Sequence, residues 1–298
     1  MIFPKHLEIE TVAGFCPAHC VMCTIGESPR KKVMDNDTFS KILERFEPYK
    51  GKLEFTTLHG LGEPLLDKRI VEKVGMAKRK GFPSVGFATI AVNLNDDLAV
   101  KLFDAGLDTI IFSLDGINKE THEAIRRGID YDVAVANIEN FIKRRNELGK
   151  TKIIVRMIRQ DRNRDEWPAY RELWQGKLDS RFGDQVSVFD VHNWGGDHGV
   201  DVKEKLTAIA KQRPVLCGDL YERFFVYVDG NVGFCCGDQQ GWFNLGNVVE
   251  EDPIEIYNRG QFAQHRQAMR EGRIAELKHC SNCSIVLSRF DREYLDIK

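Results

Sequence analysis

Cys16, Cys20 and Cys23 lie within eight residues in the spacing C-x3-C-x2-C. They directly follow an apolar stretch, Leu7 to Val12, that reads as a β-strand. Three thiolates on one short loop can hold three corners of a cubane iron–sulfur cluster, where a fourth protein ligand ordinarily completes the set. No fourth cysteine is near, so one iron stays open to another ligand, and an open iron makes the cluster a reactive site. A zinc knuckle or a set of unligated thiols would use the same cysteines. Structural zinc, however, takes four closed ligands, commonly as two separated pairs, and His19 lies inside the same tight loop.

The elements that must position this loop alternate in character. Runs of strand length and apolar content recur at Leu53–Leu58, Val85–Ile90, Thr109–Leu114, Lys152–Ile158 and Val186–Val191. Amphipathic stretches at Asp37–Phe46, Arg69–Lys80, Asp96–Asp104 and Tyr131–Leu148 separate the earlier runs. Strands alternating with helices pair in parallel through right-handed crossovers. With the strand before the cysteine loop this gives six units and predicts an α/β fold, a partial (β/α)6 TIM-type barrel over residues 1–210. Its chemistry should gather at the C-terminal ends of the strands, where the cysteine loop sits. Residues 211–298 should form a small α+β iron–sulfur domain, a β-hairpin plus a helix.

The chain has 298 residues, a net charge of −2 and well-mixed charges, with no basic patch to suggest nucleic acid. No apolar run approaches the roughly 18 residues of a membrane helix. The opening MIFPKHLEIE lacks the apolar core of a secretion signal, so eight cysteines point to a reducing, cytoplasmic setting and metal ligation.

The cysteine spacing after a first barrel strand resembles the signature of the radical SAM superfamily. The resemblance implies that the open iron chelates the amino and carboxylate groups of S-adenosylmethionine. One electron, from a flavodoxin- or ferredoxin-type donor, then yields a 5′-deoxyadenosyl radical. Met22 stands where relatives commonly have an aromatic residue and would still offer adenine an apolar neighbour. His59-Gly60-Leu61-Gly62-Glu63-Pro64 resembles the family's GGEP segment with Leu61 in place of the first glycine. Gly62 would let the backbone approach the cofactor, and Glu63 would accept from its ammonium group. Ser113-Leu114-Asp115-Gly116 resembles the S-x-D-G segment, in which Ser113 would bond the ribose or the methionine carboxylate. Arg126 resembles the arginine that pairs with that carboxylate, and Arg127 competes with it. Thr89 alone remains of a common Thr-Asn-Gly segment. Turn chemistry and an exposed helix-end arginine are the ordinary readings of these positions.

The C-terminal cysteines form a second set. Strand-like runs flank Asp229-Gly230-Asn231 and read as a hairpin that returns Cys235 toward Cys217. Cys280 and Cys283 can close a four-thiolate site for zinc or a cubane cluster. With Leu245-Gly246-Asn247-Val248 and a helix over Gln261–Arg270, the layout resembles the SPASM auxiliary-cluster extension in its shortened Twitch form. Of the adjacent pair, Cys235 is the expected ligand and Cys236 a buried apolar thiol. An exchange of those roles, or hydrogen-atom donation by Cys236, is the alternative.

Within the family, one auxiliary cluster makes the chain most like the aminocyclitol dehydrogenases. There a substrate carbon radical beside a hydroxyl loses a proton and passes an electron to the auxiliary cluster. The implied substrate is a polyol, sugar or cyclitol. A peptide-modifying maturase or a radical epimerase is the second reading, disfavoured because the first strand begins so near Met1. A metal-stabilised binding module without activity is the third, and a scaffold has no use for a vacant iron. Arg156, Asp190 and His192 are the candidates to take the hydroxyl proton, with His59 a further one. A surface arginine, a capping aspartate and a satisfied histidine are the corresponding ordinary roles. Trp194 could pack or line the substrate pocket, and Trp167 and Trp174, seven apart, read as core.

Overall fold

A computed structural model describes residues 1–290. Six strands pair in parallel in their order along the chain: β1 (His6–Ile9), β2 (Phe55–Thr57), β3 (Val85–Thr89), β4 (Thr109–Ser113), β5 (Lys152–Arg159) and β6 (Gln185–Asp190). The helices α1 (Asn36–Phe46), α2 (Ile70–Arg79), α3 (Asp96–Asp104), α4 (Lys119–Ile125), α5 (Tyr131–Leu148) and α6 (Trp167–Gln175) fall between them. The expected partial barrel is therefore present, with strand and helix ends within a few residues of the sequence reading. Local chemistry starts the helices where it does. Asp35, Asn95, Asn118 and Asp130 each accept a hydrogen bond from a first-turn backbone N–H, at α1, α3, α4 and α5 respectively.

Alternation within each strand divides the barrel into two environments. Leu7 and Ile9 of β1 are wholly buried in the apolar core with Phe39, Leu43 and Phe46 of α1. His6 and Glu8, and Glu10 just beyond, occupy the intervening positions, and both carboxylates are buried. Trp174 of α6 is fully buried, as its spacing predicts, and Trp167 packs against the same core partly exposed.

The hairpin around Asp229-Gly230-Asn231 is present: β7 (Arg223–Val226) pairs antiparallel with β8 (Val232–Gly233). Gly230 turns it at φ +85°, a conformation a side chain would strain. The C-terminal segment also extends the barrel sheet, because β7 lies parallel to β1 with His6 opposite Arg223 and Ile9 opposite Val226. This pairing covers the open edge of β1. The expected C-terminal helix runs Gly260–Arg270. Among the described residues no helix is long and apolar enough to cross a membrane.

Candidate active site

A cavity of about 270 Å³ is bordered by residues at the C-terminal ends of the strands. Cys16, Cys20, Met22 and Cys23 form one wall. Two contacts hold their loop. His19 and Cys20 pair antiparallel with Arg127 and Arg126, and the N–H of Glu63 donates to the carbonyl of Phe15 over 2.9 Å. Gly62 makes this approach possible, since a Cβ there would fall 2.3 Å from the carbonyl oxygen of Val12.

Glu63 and Thr89 also border the cavity. Oε1 of Glu63 accepts from Thr89 Oγ1 at 2.6 Å and from the N–H of Leu65, and Oε2 accepts from the N–H of Ile90 at 3.0 Å. The carboxylate is thus fixed in direction, although burial pushes its pKa up. Ser113 at the end of β4 accepts from Arg156 Nη2 at 3.0 Å.

Arg126 borders the cavity while Arg127 is exposed, which separates the two competitors. Nε of Arg126 lies 2.8 Å from Asp115 Oδ2, and Nη1 donates to Cys20 Sγ at 3.5 Å. Burial opposes the charge, yet Asp115 and Cys20 drive the Arg126 pKa upward. Asp115 itself is wholly buried and does not border the cavity. Its Oδ1 accepts from the N–H of Ile158, so it ties β5 to Arg126 and acts through that arginine.

The three candidates for the hydroxyl proton separate. Arg156 borders the cavity, and burial, then the charge of Arg126, lowers its pKa to about 10. At that value it remains a cation and a donor. His192 borders the cavity edge-on to Trp194, 4.1 Å between ring centres, and burial lowers it to about 4. Asp190 is paired with Arg159 at 2.8 Å and is not in the cavity wall. The two share one register position on β6 and β5, so the pairing is built into the sheet.

The sequence reading missed Glu8. Its Oε1 lies 3.7 Å from Nε2 of His59, which borders the cavity, and its Oε2 is paired with Arg223. The signal was present in the alternation of His6, Glu8 and Glu10 with Leu7 and Ile9 on β1.

Cys235 lies within electrostatic reach of Cys217, Cys280 and Cys283. Burial raises the Cys235 thiol well above its usual range, and the neighbouring sulfurs of Cys236, Cys217, Cys280 and Cys283 raise it further. Cys280 is raised by burial and then by Cys217 and Cys283. Held as thiolates, these buried groups would need positive charge among them, which an iron–sulfur cluster would supply. Burial likewise pushes Cys16 up to about 12. Both sets fit clusters. Among the described residues, no three His, Cys, Asp or Glu side chains converge as ligands of a single ion.

Cys236 departs from expectation. Its thiol donates to Asp219 Oδ2 at 3.3 Å, so its setting is polar rather than apolar. The charged groups near it are Asp219, Arg223 and Glu8. Cys235 and Cys236 lie in a bend and turn beyond β8, where the carbonyl of Cys235 accepts from the N–H of Asp238.

Residues 11–166 match the radical SAM superfamily, more than half of the chain. The chain belongs to the radical SAM superfamily. Residues 217–284 match the SPASM iron–sulfur cluster-binding domain. The chain is 29% identical over 149 residues to the tungsten-containing aldehyde ferredoxin oxidoreductase cofactor-modifying protein of Pyrococcus furiosus, covering 50% of this chain and 41% of that protein. It is 30% identical over 170 residues to a probable GTP 3′,8-cyclase of Saccharolobus islandicus, covering 55% and 51%. The chain thus spans about half the length of these curated relatives.

Similar solved structures extend through the SPASM region. BtrN in complex with AdoMet and 2-DOIA is 17% identical, with TM-score 0.64, over 94% of this chain and 93% of that one. SuiB of Streptococcus suis bound to its precursor peptide SuiA is 14% identical, with TM-score 0.68, over 96% and 71%. The radical SAM cluster with S-adenosylmethionine and the auxiliary iron–sulfur cluster are accordingly the cofactors of this fold.

Proposed function

We propose that the chain is a radical SAM dehydrogenase that oxidises a secondary alcohol of a polyol, sugar or cyclitol to a ketone. The observation that supports this most is the closeness of the auxiliary nest to the cavity wall. Trp194 borders the cavity and donates from Nε1 to the carbonyl of Met22 at 3.0 Å. A Cβ on the next residue, Gly195, would fall 2.6 Å from the ring of Trp242. Trp242 stacks on His279, 3.7 Å between ring centres, and His279 precedes Cys280.

When bound, the three-cysteine cluster supplies the electron that cleaves S-adenosylmethionine, and the auxiliary cluster accepts the electron left by the oxidised substrate. Cys16, Cys20 and Cys23 would hold the first, and Cys217, Cys235, Cys280 and Cys283 the second. Glu63, fixed by Thr89, accepts from the ammonium group of S-adenosylmethionine, and Arg126, directed by Asp115, pairs with its carboxylate. Met22 lines the adenine side and Gly62 keeps the backbone close. Arg156 donates to the substrate hydroxyl, because its buried Nε has no hydrogen-bond partner among the described residues. The match to BtrN along nearly the whole of both chains supports a small-molecule substrate.

The test is anaerobic turnover of the reconstituted, reduced enzyme with S-adenosylmethionine and scyllo-inositol, myo-inositol or an aminocyclitol. A ketone lacking two substrate hydrogens, formed with 5′-deoxyadenosine, is expected. Formation of 5′-deoxyadenosine without ketone from any of them would overturn the reading.

A further inference from the structure

The reaction proposed above needs a group to take the hydroxyl proton, and Arg156, Asp190 and His192, the first three candidates from the sequence, do not supply one well. Arg156 is a donor, and Asp190 is held by Arg159 outside the cavity wall. His192 is available at the cavity edge, but it lacks a carboxylate within ion-pair distance among the described residues. Asp219 influences it only through the field and is itself engaged by Cys236 and Arg223.

His59 differs. It borders the cavity at the end of β2, and its Nε2 lies 3.7 Å from Oε1 of Glu8, a carboxylate only 4% exposed inside the barrel. Nδ1 of His59 is buried with no hydrogen-bond partner among the described residues. Glu8 is held on its other oxygen by Arg223, so Oε1 is the oxygen left to face the imidazole. Polar residues of this kind are costly inside a barrel and call for a reason.

We propose that His59 is the base that takes the substrate hydroxyl proton, and that Glu8 positions the imidazole and stabilises the imidazolium that results. This inference rests on the alcohol-oxidation reading. The adenosyl radical removes the hydrogen atom from the carbinol carbon, forming a C–H bond in 5′-deoxyadenosine. The O–H bond then breaks and an N–H bond forms at Nδ1 of His59, the nitrogen without a partner among the described residues, while Nε2–H faces Glu8. The remaining unpaired electron leaves to the oxidised auxiliary cluster, and the carbon–oxygen bond becomes a carbonyl. A 3.7 Å separation is an ion-pair distance, and such contacts commonly tighten once substrate is bound.

Charges around the pair suit the role. His59 is faced by Glu8 of β1, Arg156 of β5 and Arg223 of β7; Glu8 is faced by Arg223, His59 and His6. Burial lowers His59 to about 4, with Glu8 opposing, so the imidazole is neutral and able to accept at neutral pH. Although burial opposes it, Arg223 keeps the Glu8 carboxyl below its ordinary value and therefore ionised.

The experiment compares wild type with H59Q, H59A, E8Q, H192Q and R156K as reconstituted holoenzymes, using scyllo-inositol, myo-inositol and an aminocyclitol. Ketone formed per 5′-deoxyadenosine is the measured quantity. For H59Q the ratio should fall roughly 100-fold or more, and for E8Q about tenfold. Added 4-methylimidazole should restore ketone formation in H59A and not in R156K. Imidazole NMR should show the His59 midpoint lower in E8Q than in wild type. A wild-type ratio in H59Q, or a His59 midpoint indifferent to E8Q, would overturn the assignment while leaving the dehydrogenase reading in place. No ketone from any cyclitol with wild type removes the dehydrogenase reading, and this inference with it.

Discussion

Nε of Arg126 lies 2.8 Å from Oδ2 of Asp115, and the same guanidinium donates to Cys20 Sγ at 3.5 Å. A carboxylate outside the cavity wall thereby fixes the direction of a cation inside it. Orientation by a buried partner is what makes such a cation specific rather than merely charged. Asp115→Asn keeps the shape and removes the charge. It should weaken S-adenosylmethionine binding by about 10- to 100-fold, measured by equilibrium dialysis of the reconstituted enzyme, and lower stability by roughly 3 kcal/mol.

Thr89 donates to Glu63 at 2.6 Å, and this bond opposes the upward push of burial on the Glu63 carboxyl. Only the ionised carboxylate attracts an ammonium group, so affinity is lost as pH falls through the raised Glu63 pKa. Thr89→Val removes the opposing bond and raises that pKa further. The variant should therefore lose S-adenosylmethionine affinity at a higher pH than wild type, read from dissociation constants between about pH 5 and pH 8.

The two cysteine sets should separate by metal content. Wild type should hold about eight irons, and the C16A/C20A/C23A variant about four with no 5′-deoxyadenosine. Cys280→Ala with Cys283→Ala should also leave about four irons, keep S-adenosylmethionine cleavage and stop ketone formation. Iron, sulfide and zinc analysis beside product assays checks all three.

Cys236 bonds Asp219, whereas Cys235 is under the influence of Cys217, Cys280 and Cys283 as well as Cys236. Cys236→Ala should therefore retain the full iron content, with a stability loss of about 1 kcal/mol from the lost bond. Cys235→Ala should lose the auxiliary cluster. Equal iron loss in the two variants would reverse the assignment.

Arg30 ties the cysteine loop to both halves of the chain. Its guanidinium lies 3.7 Å over the Tyr227 ring, Nη2 donates to the Gln239 carbonyl at 2.7 Å, and Nε lies 3.5 Å from Glu10. Burial raises the Glu10 carboxyl and Arg30 opposes it. A folded pKa above the unfolded one means that stability falls as pH rises between the two values. Arg30→Met widens that window, so its deficit should reach roughly 3 kcal/mol at neutral and higher pH and shrink toward pH 5. Urea unfolding across that range measures it.

Local chemistry made much of this protein legible. The C-x3-C-x2-C loop, the apolar runs of strand length and the amphipathic stretches between them are short-range patterns, and the fold followed them closely. Gly62, Glu63 and Ser113 came to the cavity because each lies at or just beyond a strand end, which parallel pairing brings to one rim, whereas Arg126, at the end of α4, is brought there by its pairing with Cys20 and Asp115. Tertiary structure decided what depends on register and on distant partners. Arg223 meets Glu8 across 215 residues of sequence only because β7 pairs with β1 in one register. Likewise Cys236 meets Asp219 across 17 residues of sequence. Asp115 reads as a site residue from its motif and Asp190 from its place at the end of the sixth strand, yet a neighbouring arginine claims each of them. Alternation in a strand says which side chains share a face; only the packed sheet says which charges meet there.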